Sequence, residues 1–133
     1  MLEDQLRKNW FFKYTGGFSV TKRSKSIIET INYTASLLEN KNNLVLIFPQ
    51  GKIQSMHRQN YSFEKGTERI LQKTAKPVQV VFLVNIVDYF SQVKPQVDMY
   101  MKEYNGNYGT EDLEKEFNQF YKCCMDSQVK RES

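Results

Sequence analysis

Asn43-Leu44-Val45-Leu46-Ile47-Phe48-Pro49-Gln50-Gly51 sets the architecture expected of this 133-residue chain. Five consecutive apolar residues, Leu44 to Phe48, stop at a Pro-Gln-Gly turn. An apolar run this short, bounded by turn residues, predicts a strand buried on both faces. Pro49 and Gly51 force the backbone out of the sheet, and Gly51 lets another group approach closely. In α/β proteins, ligands are held just past the carboxyl ends of such strands. Lys52, Gln54, His57 and Arg58 follow at once, placing basic and polar side chains there.

On the N-terminal side, Leu2, Leu6 and Trp10 recur at helical spacing and predict an amphipathic helix over roughly 2–13, ended by Gly16-Gly17. A short extended piece, Phe18 to Thr21, leads into the basic cluster Lys22-Arg23-Ser24-Lys25. Ser26 and Glu29 have the spacing of a capping box, and Ile27, Ile28, Ile31, Ala35 and Leu38 then share one face. That pattern predicts a helix to about Asn40.

On the C-terminal side, Phe63-Glu-Lys-Gly66 opens a short helix to about Thr74, with Ile70 and Leu71 facing inward. Pro77 precedes a second buried strand, Val78 to about Val87. From Lys94 to Tyr104, Val97, Met99 and Met101 alternate with polar residues, as in a half-exposed edge strand. Thr110 starts a last helix with Glu111, Asp112 and Glu114 in its first turn, where the helix dipole favours them. Leu113, Phe117, Phe120 and Cys124 supply its apolar stripe. Strands alternating with helices predict an α/β fold with a mostly parallel central sheet flanked by helices. One domain over 1–125 and a frayed tail over 126–133 complete the expected layout.

The bulk composition narrows the class. With 40% hydrophobic and 26% charged residues, the chain is of ordinary globular type and long enough for a core. No apolar run approaches the roughly 18 residues of a membrane span. No basic stretch followed by an apolar one stands at the N-terminus, so no signal peptide is visible. Cys123 and Cys124 are adjacent, unsuited to an ordinary bridge or a zinc site, which points to a reducing, cytoplasmic setting. Net charge +4 and an isoelectric point near 9.0 suit an acidic partner: anionic lipid, a phosphorylated small molecule or nucleic acid. No nucleic-acid-binding motif is present, so nucleic acid is not expected.

Two basic clusters flank the helix–strand unit: Lys22, Arg23 and Lys25 before it, Lys52, His57, Arg58 and Lys65 after it. Arginine suits phosphate because its planar fork donates two parallel charge-assisted hydrogen bonds. Ordinary solvated loops give the same pattern. His57 is the only histidine and hence the only side chain whose unperturbed pKa suits base chemistry near neutrality. Ser19, Ser24 and Ser55 lie in no nucleophile pattern, and neither a P-loop nor a dinucleotide fingerprint occurs.

Taken in order, these pieces resemble the glycerolipid acyltransferase family, which includes the lysophosphatidic acid acyltransferases. Gly16-Gly-Phe-Ser-Val-Thr-Lys-Arg23 looks like its second motif, with Arg23 on the phosphate-binding arginine and Lys22 where the family has an acidic residue. Phe48, Pro49 and Gly51 match Phe-Pro-Glu-Gly-Thr, with Gln50 for the glutamate and Lys52 for the threonine. Phe63 and Gly66 match the following Phe-x-x-Gly, and Pro77 to Val81 resembles the fourth block without its second proline. The similarity spans roughly 2–87.

The resemblance implies a partial acyltransferase-like fold that binds an anionic glycerolipid acceptor and an acyl-CoA or acyl-carrier-protein donor, with no resident cofactor and no metal. It makes Arg23, Phe48, Pro49, Gln50, Gly51, Lys52 and Arg58 the expected substrate-binding residues. The first family motif, His-x-x-x-x-Asp, supplies the base and its orienting carboxylate. Only 22 residues precede Arg23, too few for that motif at its usual distance, and the residue five past His57 is Ser62. No catalytic residue is therefore expected here, and the chain reads as a member whose first strand and catalytic loop are absent. It is expected to be inactive alone; the alternative reading is a non-catalytic remnant that binds anionic lipid or a protein partner through the same basic face. Unpaired sheet edges would favour homo-oligomers. Trp10, Phe11 and Phe12 beside Lys8 and Lys13 suit either core packing or peripheral contact with the inner membrane face.

Overall fold

The computed structural model describes residues 24–52, 54, 55 and 57–131. The expected first helix, Lys22 and Arg23 lie outside the described residues, while Lys25, the last residue of that basic cluster, is exposed near the start of the first described helix. Five elements follow in order: α1 (Ser24–Leu38), α2 (Gly66–Lys73), β1 (Val80–Asp88), β2 (Gln96–Tyr104) and α3 (Thr110–Val129). The mixed α/β class is as the sequence predicts.

The sheet is not parallel. Among the described residues it has two strands, β1 and β2, paired antiparallel from Val80↔Tyr104 to Asp88↔Gln96. The connection Tyr89–Pro95 is far shorter than the dozen or so residues a parallel crossover needs, so the second strand can only fold back. Nor is β1 buried on both faces. Phe82, Val84 and Ile86 are buried under α3, whereas Val81 and Val87 point to solvent.

The edge strand is half-exposed, but its apolar half is the exposed one. Val97, Met99 and Met101 face outward, while Asp98, Tyr100 and Tyr104 face α3. Tyrosine can do this because its ring packs while its hydroxyl finds a polar partner. Tyr100 donates to Gln128 Oε1 at 2.7 Å, and Tyr104 to the Asn107 carbonyl at 2.6 Å.

α3 closes the core with Leu113, Phe117, Tyr121, Cys124 and Gln128, one face at steps of three and four. Tyr121, rather than Phe120, is the buried ring. Phe117 is the hub: it meets Phe82 edge-on at 5.5 Å and lies 5.2 Å from Phe63 and 6.1 Å from Tyr61. Such edge-to-face pairs add about 0.5–1.5 kcal/mol beyond area burial. The helix runs to Val129, past the point where fraying was expected. Gln128 explains this: it is buried, and its amide donates to Asp98 at 2.8 Å, clasping the last turn to β2.

α1 packs against α2 through buried Ile31, Thr34 and Ala35, with Ile70 on the α2 side. The helix is already formed at Ser24, and the Ser26 carbonyl accepts from Thr30 Oγ1, so Ser26 is an interior residue and not a cap. Ile28 is exposed. α2 begins at Gly66, three residues after the expected Phe63.

Candidate functional site

The stretch Leu44–Phe48 belongs to no helix or strand among the described residues. Leu44, Leu46 and Phe48 are 95%, 64% and 75% exposed, which overturns the expected doubly buried strand. Apolar character predicted burial, and burial requires neighbours on both sides. β1 pairs only with β2 among the described residues, so no neighbour is supplied there.

The turn that follows is well built. The Gly51 amide donates to the Phe48 carbonyl at 3.3 Å, closing a turn with Pro49 second and Gly51 fourth, positions both residues favour. Gly51 has φ +64, and a Cβ there would sit 2.9 Å from Glu64 Cγ. The Glu64 amide in turn donates to the Pro49 carbonyl at 2.8 Å. Phe-Pro-Gln-Gly and Phe-x-x-Gly are thus stitched together through their backbones.

α3 holds this unit from below. Glu114 accepts from the Phe63 amide at 2.8 Å. Asn118, one turn on, accepts from the Tyr61 amide at 2.7 Å and donates to the Tyr61 carbonyl at 2.9 Å, as a neighbouring strand would. Glu68 caps the start of α3 by accepting from the Thr110 amide at 3.0 Å and from the Thr110 hydroxyl. Those two hydrogen bonds, the hydroxyl's first, hold the Glu68 carboxyl below its usual range. Glu64, Glu68, Glu114 and Asn118 were not singled out from the sequence as site-building residues. The four-residue spacing of Glu114 and Asn118 was the available signal, but it also fits a solvated helix face.

Of the expected substrate-binding residues, the structure brings Phe48, Pro49, Gln50, Gly51 and Lys52 together on this turn. Lys52 is exposed and forms no ion pair among the described residues. Arg58 stands further along the exposed loop, its guanidinium donating to Gln54 Oε1 at 3.1 Å. Arg23 lies outside the described residues. His57 is exposed, its amide donates to Ser55 Oγ at 3.2 Å, and no carboxylate pairs with its ring among the described residues. No group of three or more His, Cys, Asp or Glu suited to a metal occurs among the described residues. Cys123 is exposed and Cys124 is a core residue whose thiol pKa is pushed up by burial. A cleft of about 160 Å³ lies elsewhere, between α1 and α2, lined by Ile28, Ile31, Arg69, Gln72 and Lys73. No helix of the described residues is long and apolar enough to cross a membrane.

A protein-family model described as Acyltransferase matches residues 2–84. The chain belongs to the acyltransferase family. The match covers the Gly16–Arg23 segment, the Phe48–Gly51 turn and the Phe63–Gly66 block, and ends at Val84 within β1. β2 and α3 lie beyond it, so the residues that anchor the acyltransferase turn from α3 fall outside the matched region. No curated protein and no solved structure matches the chain.

Proposed function

We propose that this acyltransferase-family chain holds the anionic head group of a lysophospholipid or glycerol-phosphate-type acceptor at the Phe48–Lys52 turn. The corresponding donor is acyl-CoA or an acyl-carrier protein, in phospholipid biosynthesis. Arg23 binds the acceptor's phosphate by paired charge-assisted hydrogen bonds. Lys52 and Arg58 add cationic contacts, and Phe48, Pro49, Gln50 and Gly51 shape the acceptor's seat. The observation that carries this reading is the Glu64–Pro49 hydrogen bond with the left-handed Gly51, which makes a rigid, outward-facing turn of the family's motif.

Acyl transfer needs a base to remove the acceptor hydroxyl proton. The oxygen then attacks the thioester carbon, and the thiolate leaves. His57 is the one histidine of the chain and is exposed without a carboxylate partner among the described residues. The 133-residue chain therefore binds acceptor without transferring acyl groups. Contact with the membrane is peripheral, on the cytoplasmic side, where the acceptor resides.

Titration with lysophosphatidic acid tests the site. Arg23→Ala, Lys52→Ala and Arg58→Ala should each weaken binding, Arg23→Ala by roughly tenfold as for a lost charge-assisted pair. Binding indifferent to all three would overturn the site. Turnover that disappears in His57→Ala would overturn the absence of a base. The bare histidine also favours a second reading, a non-catalytic binder of anionic lipid or protein. That reading expects equal affinity for lyso- and diacyl-phospholipids, whereas an acceptor site prefers the lyso form.

A further inference from the structure

The two-stranded sheet has α3 on one face and nothing among the described residues on the other. The open face is built of four cross-strand rungs: Val81–Glu103, Leu83–Met101, Asn85–Met99 and Val87–Val97. Six of the eight side chains are apolar, and Met99 and Met101 are 59% and 67% exposed. An apolar sheet face requires a second layer.

We propose that this face is a self-association surface, covered by the same face of a second copy in an isologous dimer. The area fits a weak, reversible dimer: the six apolar side chains present on the order of 500 Å² per copy, so the fully buried pair reaches roughly 1,000 Å², the lower end for specific interfaces. The charge pattern selects this occupant over a bilayer. None of the four rungs carries a lysine or arginine; Lys102, between Met101 and Glu103, is turned to the α3 side, where it pairs with Glu116, whereas a surface meant for anionic lipid is rimmed with free cations. The only charge on the face is Glu103, at one end, accepting from Gln79 at 3.0 Å.

Twofold symmetry suits this distribution. With the hairpins facing each other head to tail, the Val81–Glu103 rung lies over Val87–Val97, and the Leu83–Met101 rung over Asn85–Met99. The two Glu103 carboxylates then stand at opposite ends, roughly 20 Å apart at the usual strand rise, and each remains at the rim. Unbranched methionines at the centre adapt to a packing partner of irregular shape. The surface is distinct from the strand edge expected from the sequence and is independent of the proposed acceptor site.

Sedimentation of the full chain over roughly two decades of concentration should show a reversible monomer–dimer equilibrium. Met101→Lys should weaken it at least tenfold, while Gln119→Lys, the same charge change on the exposed side of α3, should leave it unchanged. Both positions are exposed, so a native melt is expected for each variant and certifies the comparison. Peroxide oxidation of Met99 and Met101 should slow as concentration rises. A monomer whose methionines oxidise rapidly throughout would overturn the proposal, as would equal weakening by both lysine variants. So would a monomer with protected methionines, which would assign the face to residues 1–23. Protection only with phosphatidylglycerol vesicles would assign it to a bilayer and overturn it equally.

Discussion

The amide of Glu64 donates to the carbonyl of Pro49 across 2.8 Å, joining two motif segments separated by an exposed polar loop. The bond makes the turn after Phe48 and the approach to α2 one backbone unit. Gly51 permits it twice over, by its left-handed φ of +64 and by its missing Cβ, which leaves room for Glu64.

Gly51→Ala should therefore destabilise the chain by about 1–2 kcal/mol, the cost of a left-handed conformation for an L-residue. Glu64 is exposed and its side chain can swing away, so the steric part is small. Urea denaturation of Gly51→Ala and of Gly51→Ala/Glu64→Ala checks this. The second substitution should restore little stability, and full restoration would mean that the clash, not φ, dominates.

Asn118 pairs with both backbone polar groups of Tyr61. Asn118→Ala leaves both without their partner in a partly buried place, and about 1–3 kcal/mol should be lost. The edge-on contact of Tyr61 with Tyr121 at 5.0 Å should loosen with it. Thermal melts followed by near-ultraviolet circular dichroism read both effects, and an unchanged aromatic signal would show that Tyr61 is held by packing alone.

Asp98 makes the protein sensitive to acid. Its carboxylate accepts from Gln128, Arg131 and Gln96, which together hold its pKa down to about 2. A folded pKa below the unfolded one stabilises the fold above the ordinary carboxylate range, and that contribution is lost as pH falls through about 2. Denaturant midpoints should drop between about pH 4 and about pH 2. Asp98→Asn should start lower at neutral pH and show a flatter profile across that window. Parallel profiles would separate the clasp from the acid response.

Leu44–Phe48 should exchange its amide hydrogens rapidly. Among the described residues none of these amides has a backbone partner, whereas β1 is laddered to β2 along its length. Mass spectrometry should find exchange at least about a hundredfold slower for the β1 peptide, since protection follows hydrogen-bonded, packed backbone. Equal protection of the two would place Leu44–Phe48 inside a sheet in solution.

Much of the local structure was legible in the sequence because local rules govern it. The apolar spacing of Ile31 and Ala35, the inward pair Ile70 and Leu71, and the acidic first turn of α3 each correspond to an observed helix. Pro49 and Gly51 marked a real turn, since proline's fixed φ and glycine's left-handed freedom act wherever they occur. The site was legible only as a string of motif residues. Glu114 shows why: in sequence it is a helix-dipole residue, and folded it holds the Phe63 amide.

By itself, the sequence determined the three helices and two strands from Ser24 onward, the turn after Phe48 and membership of the acyltransferase family, because periodicity, turn chemistry and motif order are written along the chain; the strand it predicted at Leu44–Phe48 is not formed among the described residues. Only the tertiary structure decided which apolar residues are buried. Leu44, Leu46, Phe48, Met99 and Met101 are as apolar as the core residues, yet they face outward, because burial depends on a neighbouring surface and not on the residue alone. Likewise Asp98, Tyr100 and Gln128 turn inward because each finds a partner there, which no spacing along the chain could announce.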